Sequence, residues 1–281
     1  MPDPQRLLNT VRRAAAEFRA TPGRRGHLVE LADADEVLAA GDLHGNFDNF
    51  RKLIALADLG KQPRRHLVLQ EVVHGDRRYP GGGDTSHRCL DLLAALKCQY
   101  PRQVHFLLGN HELAQRTGRA IAKNDEDLNR LFLEGVLHAY GDRADDVLAA
   151  YWEMLDAVPL AVRTANRVFL CHSLPPPRAL DAFDPAVLQR DRFDEADLAP
   201  GGAVRGLLWG RDTTADNAAA FLGKVDADLL ITGHVPCDHG FEVANPRQLI
   251  LDSLGSPAAC CLFPTDRPLT IDDLAARVRL L

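Results

Sequence analysis

The sequence predicts an α/β fold, and three observations predict it. Short apolar runs such as Val37-Leu38-Ala39-Ala40 and Val104-His105-Phe106-Leu107-Leu108 read as buried strands. Amphipathic segments at helical spacing alternate with them. Four of the runs end in Asp, Asn or His, where a parallel sheet carries its functional loops, at the carboxyl ends of strands.

The chain opens with an amphipathic helix over about 4–20, which sets Leu7, Leu8, Val11, Ala14, Ala15 and Phe18 on one face. Thr21-Pro22-Gly23 ends it. A strand near 36–40, a loop over 41–45 and a helix over 46–59 follow, then a strand over 66–73. A polar, glycine-rich loop (75–84), a helix (85–98) and a strand (104–108) complete a β-α-β-α-β order and hence a parallel sheet. Residues 113–158 read as a helical layer between two halves of the sheet, with the acidic runs 124–127 and 142–146 as solvated faces and caps. Strands near 160–164 and 167–171 precede Pro175-Pro176-Pro177, and the acidic stretch 178–205 reads as a surface lobe or lid. A helix over 215–224 and strands near 228–232, 241–244, 248–252 and 258–263 follow. With no repeat or linker, 1–281 reads as one domain with a motif-bearing core at about 36–263.

Composition narrows the function. An apolar content of 46% and a charged content of 26% are those of a globular protein with a full core. A net charge of −6 argues against nucleic acid as a partner, though not against a phosphate-bearing substrate. The six cysteines form no C-x-x-C pair and read as reduced core thiols. No leader-like apolar core or membrane-length run is present, so the expectation is a cytoplasmic protein with no membrane partner. Oligomeric state is not encoded in any pattern here.

The strand-end residues are a metal-ligand set. Asp42 and His44 stand two apart after a strand, so alternation points both to one side. Asn110, His172 and His234 end three further runs. Two cation sites follow, Asp42 with His44, and Asn110 with His172 and His234. The mixed oxygen and imidazole donors suit manganese, iron or zinc better than calcium. Two such ions need a shared carboxylate to hold them ~3.5–4 Å apart for in-line attack on phosphorus. Glu71, at the end of a rigid strand, is favoured for that place over Asp76 and Asp84 in the flexible loop. A hydroxide shared by the two ions would attack, and His111, next to Asn110, would protonate the leaving group. His74, Asp76 and Asp84 are candidates to steady His111. Arg77, Arg78, Arg88, Arg116 and Arg211 are candidates to bind phosphate, Arg77 and Arg211 foremost. His66, His105 and His138 read as core residues, His87 as a surface or supporting residue, and Trp152 and Trp209 as core aromatics.

The blocks Gly41-Asp42-Leu43-His44-Gly45, Leu107-Leu108-Gly109-Asn110-His111-Glu112, Phe169-Leu170-Cys171-His172, Leu207-Leu208-Trp209 and Ile231-Thr232-Gly233-His234 stand in an order and spacing that carry a resemblance. Residues of about 36–263 resemble the phosphoprotein phosphatase branch of the calcineurin-like metallophosphoesterases. That resemblance implies a central β-sandwich of mixed sheets flanked by helices, which amends the single parallel sheet. It also implies two divalent metal ions, manganese foremost with iron or zinc as options, and phosphoester hydrolysis. The second block departs from the family's Gly-Asp-x-x-Asp-Arg-Gly. Aligned on the apolar strand, Glu71 takes the bridging Asp, His74 takes the residue that steadies the catalytic His, and Gly75 takes the phosphate-binding Arg. Pro236 stands where other metallophosphoesterases carry the last His of Gly-His-x-His, again favouring the phosphatase branch. The expected function is a phosphomonoesterase of the serine/threonine protein phosphatase type. A hydrolase of dinucleoside polyphosphates or other small phosphoesters is the alternative with the same centre. A catalytically weak binding protein that keeps the fold is the alternative of another class.

Overall fold

A computed structural model describes residues 3–281. Its centre is a sandwich of two mixed sheets. The first has five strands in the order Val278–Leu280, Ala259–Pro264, Glu36–Asp42, Arg65–Gln70 and Val104–Leu107. The second has seven, in the order Arg24–Arg25, Leu28–Leu31, Ala161–Thr164, Val168–Cys171, Leu229–Thr232, Gln248–Leu251 and Phe241–Asn245. The expected β-α-β-α-β unit is present: Glu36–Asp42, Arg65–Gln70 and Val104–Leu107 pair in parallel, linked through helices Phe47–Ala57 and His87–Gln99. It is one part of a mixed sheet, because Ala259–Pro264 runs antiparallel to Glu36–Asp42.

Strand alternation sorts the apolar residues into two cores. Val37, Ala39, Val68 and Leu107 face Val29, Val162, Leu170, Ile231 and Leu249 across the sandwich. Their neighbours Leu38, Ala40, Leu67, Leu69 and Phe106 face the other way and pack with the helices. The helical layer therefore covers the outer face of the five-stranded sheet and does not lie between the sheets. Helix Pro4–Arg19 packs on helices His87–Gln99 and Ala144–Leu155, burying the six apolar residues its periodicity selected. Its larger apolar side chains contribute about 1.5–3 kcal/mol each on full burial. Asp3 caps it, accepting from the Gln5 and Arg6 backbone N–H groups.

Several elements differ from expectation. The strand at 66–73 ends at Gln70, because Glu71 turns into left-handed backbone at φ 38. The acidic run 124–127 is a hairpin, not a helix face: Ala122–Lys123 pairs with Glu126–Asp127 around Asn124 and Asp125, both at positive φ. Asn and Asp tolerate that conformation better than most residues, so Asn-Asp was the turn signal. The strand Leu28–Leu31, the helix Ile271–Ala275 and the edge strand Val278–Leu280 were not anticipated. His138 is exposed, not a core residue, and His87 is buried, not at the surface. The six cysteines are free, and among the described residues no helix is long and apolar enough to cross a membrane.

Lys97 lies fully buried between the first helix and the sheet. Its Nζ donates to Thr21 Oγ1 (2.8 Å), the Pro101 carbonyl (2.6 Å) and the Val104 carbonyl (2.9 Å), and sits over the Phe18 ring. Among the described residues no carboxylate pairs with it. Burial pushes its pKa down to about 7, with Glu17 opposing and Arg24 reinforcing the shift. Between that value and the ordinary 10.5 the unfolded chain holds a proton that the folded chain has lost, so stability rises with pH across this window. Urea titrations should show the rise between about pH 7 and 9. Lys97→Met should flatten it, and an unchanged slope in the variant would refute the assignment.

Candidate metal centre

The ligand candidates leave both sheets at one end of the sandwich. Asp42 is the last residue of its strand, and Glu71 directly follows Arg65–Gln70. Asn110 and His111 open the helix Asn110–Thr117 just past Val104–Leu107. His172 follows Val168–Cys171, and His234 lies two residues past Leu229–Thr232. Glycines precede Asn110 and His234 because the backbone must pass close: a Cβ at Gly109 would strike Glu71 Oε2, and one at Gly233 would strike Asp42 Oδ1.

Glu71 is the centre of the cluster and is 1% exposed. Its Oε1 lies 3.2 Å from His44 Nε2 and 3.9 Å from His111 Nε2. Its Oε2 lies 3.2 Å from His172 Nε2 and accepts the His111 backbone N–H at 3.1 Å. Donor atoms gather in two groups that share Glu71, namely Asp42, Glu71, His172 and His234, and then His44, Glu71 and His111. Asn110 Oδ1 adjoins the first group, 2.9 Å from His172 Nε2. The expected grouping of Asp42 with His44 is thus altered. Alternation holds only in extended chain, and His44 sits past the strand at φ 39.

Hydrogen bonds behind these side chains fix where their lone pairs point. Gln70 Nε2 donates to the Ala40 carbonyl (2.9 Å), so Gln70 Oε1 must accept from His172 Nδ1–H (3.1 Å). That leaves a lone pair on His172 Nε2, facing Glu71. His44 Nδ1 donates to the Val73 carbonyl (3.0 Å), which likewise frees its Nε2. Asp42 Oδ2 accepts the His234 backbone N–H (2.9 Å), while Asp42 Oδ1 and His234 Nε2 are buried with no hydrogen-bond partner among the described residues. Lone pairs converging without protons, beside orphaned buried donors, fit cation binding. The charges agree. Burial and then Glu71 push the Asp42 carboxyl well above its ordinary range, a conflict a cation would relieve. Burial opposes ionisation of Glu71, but His172, His111 and His44 hold it well below the usual range. Burial, with His172 adding to it, pushes His234 down to about 2, favouring the neutral ligand form.

His111 stands to one side in a three-residue chain. His74 Nε2 lies 2.7 Å from Gln115 Oε1, which can only accept, so His74 Nδ1 is left to accept from His111 Nδ1–H at 2.9 Å. His111 Nε2 then faces the cleft. Burial depresses His74 to about 4 and His111 to about 3.

The remaining candidates separate clearly. Arg211 lines the cleft, its Nη1 donating to the His234 carbonyl at 3.0 Å. Arg77 does not reach it and pairs with Asp48 at 2.6 Å on the surface. Asp76 is also outside, 70% exposed and 3.1 Å from Lys123 Nζ, so it does not steady His111. Asp84 is used in folding the loop, accepting from Gly75 N, Ser86 N and Ser86 Oγ. Arg78 donates to the Gly75 carbonyl, Arg88 stacks over Phe47, and Arg116 pairs with Asp156. Sequence reasoning missed Gln70, Gln115 and Lys123, the last of which lines the cleft of about 230 Å³ together with Arg211. Gln70 carried a faint signal, a polar residue closing an apolar strand. Gln115 and Lys123 carried none.

Residues 36–238 match the calcineurin-like phosphoesterase family. A probable serine/threonine-protein phosphatase of Encephalitozoon cuniculi is 26% identical over 246 residues, covering 80% of this chain and 48% of that protein. Serine/threonine-protein phosphatase 5 of Solanum lycopersicum is 25% identical over 240 residues, covering 79% of this chain and 39% of that protein. The chain thus spans less than half the length of these relatives. In structure it resembles a protein serine/threonine phosphatase of Saccharomyces cerevisiae at a TM-score of 0.72 and 17% identity, covering 100% of this chain and 89% of that one. It also resembles a cold-active protein-tyrosine phosphatase of a psychrophilic Shewanella species at 0.57 and 15%, covering 90% and 82%. At those identities the structural likenesses speak for the fold.

A manganese titration separates the candidate bridging acids. Glu71→Gln keeps the side-chain length and removes the shared charge, and should weaken Mn²⁺ binding by at least about tenfold. Asp76→Asn should leave the titration unchanged. The reverse pattern would overturn the central place given to Glu71.

Proposed function

Since the chain belongs to the calcineurin-like phosphoesterase family, we propose that it is a metal-dependent phosphomonoesterase acting on phosphoserine or phosphothreonine in proteins. The observation that carries this reading is the position of Glu71, with one carboxylate oxygen toward His44 and His111 and the other toward His172. Asp42, Glu71, Asn110, His172, His234 and His44 would hold two divalent ions, manganese by the balance of carboxylate, amide and imidazole donors. Bound there, such ions supply Lewis-acid polarisation of the phosphoryl group.

The rest is done by the chain's own groups. His111 presents Nε2 to the cleft; neutral in the free protein, it takes up a proton beside the phosphoryl dianion, becoming imidazolium, and delivers that proton from Nε2 to the departing oxygen. His74 and Gln115 hold its ring in the orientation that aims Nε2 outward. Arg211 and Lys123 are the two basic side chains lining the cleft and bind the phosphoryl oxygens. Free cysteines, most of them buried, suit a reducing compartment, which supports activity in the cytoplasm.

Manganese-loaded protein assayed against phosphoserine, phosphothreonine and phosphotyrosine peptides and against diadenosine tetraphosphate tests the reading. The first two should turn over fastest. Preference for the dinucleotide would replace the proposal, and no turnover with both ions bound would leave a binding protein. His111→Ala should lower kcat by about 10²–10⁴ while manganese content stays unchanged. A matching loss of metal would instead make His111 a ligand. Lys123→Ala should raise KM for phosphopeptide about fivefold, as expected for loss of one solvent-exposed charge contact, with little change in kcat.

A further inference from the structure

A second cavity, of about 510 Å³, shares no lining residue with the metal cleft. It opens between the starts of helices Phe47–Ala57 and His87–Gln99, the Tyr79 loop and the end of helix Leu128–Tyr140. Its walls are flat rings. Tyr79 and His138 stack at 4.2 Å and 24°, and Phe47 carries the Arg88 guanidinium 4.8 Å above its ring.

A polar pair inside it is incomplete. His87 is 1% exposed, and its Nε2 meets the Tyr79 hydroxyl at 2.9 Å. Its Nδ1 is buried without a hydrogen-bond partner among the described residues, 3.6 Å from Asp91 Oδ2. When the Tyr79 hydroxyl donates to Nε2, Nδ1 carries the hydrogen and lacks an acceptor. Asp91 accepts from the Tyr140 and Tyr151 hydroxyls and, as a carboxylate, has lone pairs to spare. The pair is too far apart to satisfy itself and calls for a ligand edge with an acceptor beside a donor. At the rim, Arg88 has no ion-pair partner among the described residues, a free cation suited to an anionic substituent.

From these three features we propose that the cavity is a binding site for a purine nucleoside monophosphate. The base lies against the ring faces, its nitrogen edge meets His87 and Asp91, and the phosphate meets Arg88. A simple aryl phosphate has the ring and the anion but lacks the donor–acceptor edge.

Calorimetric titration of metal-loaded protein on the His111→Ala background, which suppresses hydrolysis, tests the site with AMP, adenosine, phenyl phosphate and inorganic phosphate. AMP should bind with a Kd of about 1 mM or tighter. Adenosine and phenyl phosphate should each bind several-fold more weakly. Arg88→Ala and His138→Ala alter exposed residues whose side chains make no hydrogen bond or ion pair among the described residues, and each should weaken AMP about five- to tenfold. Three results overturn the proposal: no saturable AMP binding, AMP binding indifferent to both substitutions (placing the nucleotide in the metal cleft), or phenyl phosphate and phosphate matching AMP.

Discussion

The structure depends on burying one carboxylate, that of Glu71, among four imidazoles at the mouth of a sandwich. A buried ion is expensive unless other groups are arranged around it. Much of the surrounding backbone is arranged for that purpose. The Glu71 carbonyl accepts both the Leu43 and His44 N–H groups, tying the first ligand loop to the second. Its side chain accepts the N–H at the start of the Asn110–Thr117 helix, where the helix dipole favours negative charge. Glu112, wholly buried, accepts from Val72, Val73 and Gly109 and locks the same loops from behind. His44, Glu71, His74 and His234 all adopt positive φ, each at a cost of roughly 1–2 kcal/mol. Strain that clusters at one site and is held by this many hydrogen bonds belongs with function.

The neutral side chains behind the cluster matter as much as the ligands. A histidine offers a lone pair from one nitrogen only when the other carries the proton. Here each choice is enforced by a group that can only accept: Gln70 Oε1 for His172, the Val73 carbonyl for His44 and Gln115 Oε1 for His74. Gln70 is itself pinned by the Ala40 carbonyl, so the five-stranded sheet's own backbone dictates the tautomer of a residue on the seven-stranded sheet. The two sheets are thereby coupled through a proton position as well as through their apolar core.

The clustering of the candidate ligands was legible because chemistry-bearing residues at strand ends stand out against apolar runs. Asp42, Glu71, Asn110, His172 and His234 needed only the strands to be found. The grouping was not legible: the alternation that paired Asp42 with His44 stops where the strand stops, and nothing local announces φ 39 at His44. The sandwich came from resemblance rather than periodicity, since a buried parallel strand reads the same in an open sheet. Arg77 and Asp76 were misjudged for a common reason. Their closeness in sequence to the second block suggested closeness in space, but buried Asp84 pins only the base of the loop at Gly75 and Ser86, and both side chains end on the surface. Lys123 escaped notice because its hairpin lies far along the chain within a run that looked helical.

The altered second block is internally consistent. Glutamate in place of aspartate adds a methylene, and the chain absorbs it by ending the strand at Gln70 and turning Glu71 into left-handed backbone. Bare Gly109 leaves space for the longer carboxylate. At the arginine position, Gly75 packs so that a Cβ would stand 2.7 Å from the His44 carbonyl oxygen, leaving no room for any larger residue without moving a ligand loop. The cation normally expected there must come from elsewhere, and the cleft is lined by two: Arg211, tethered to the His234 carbonyl, and Lys123, held by Asp76 across the opening. A guanidinium tethered to buried backbone and an exposed ammonium paired at the surface are different binders. In the proposed reading the first would fix a phosphoryl group, while the second would meet the substrate that carries it. If this pair binds the substrate as proposed, replacing one rigid arginine by it would shift discrimination outward, from the phosphoryl group to what surrounds it.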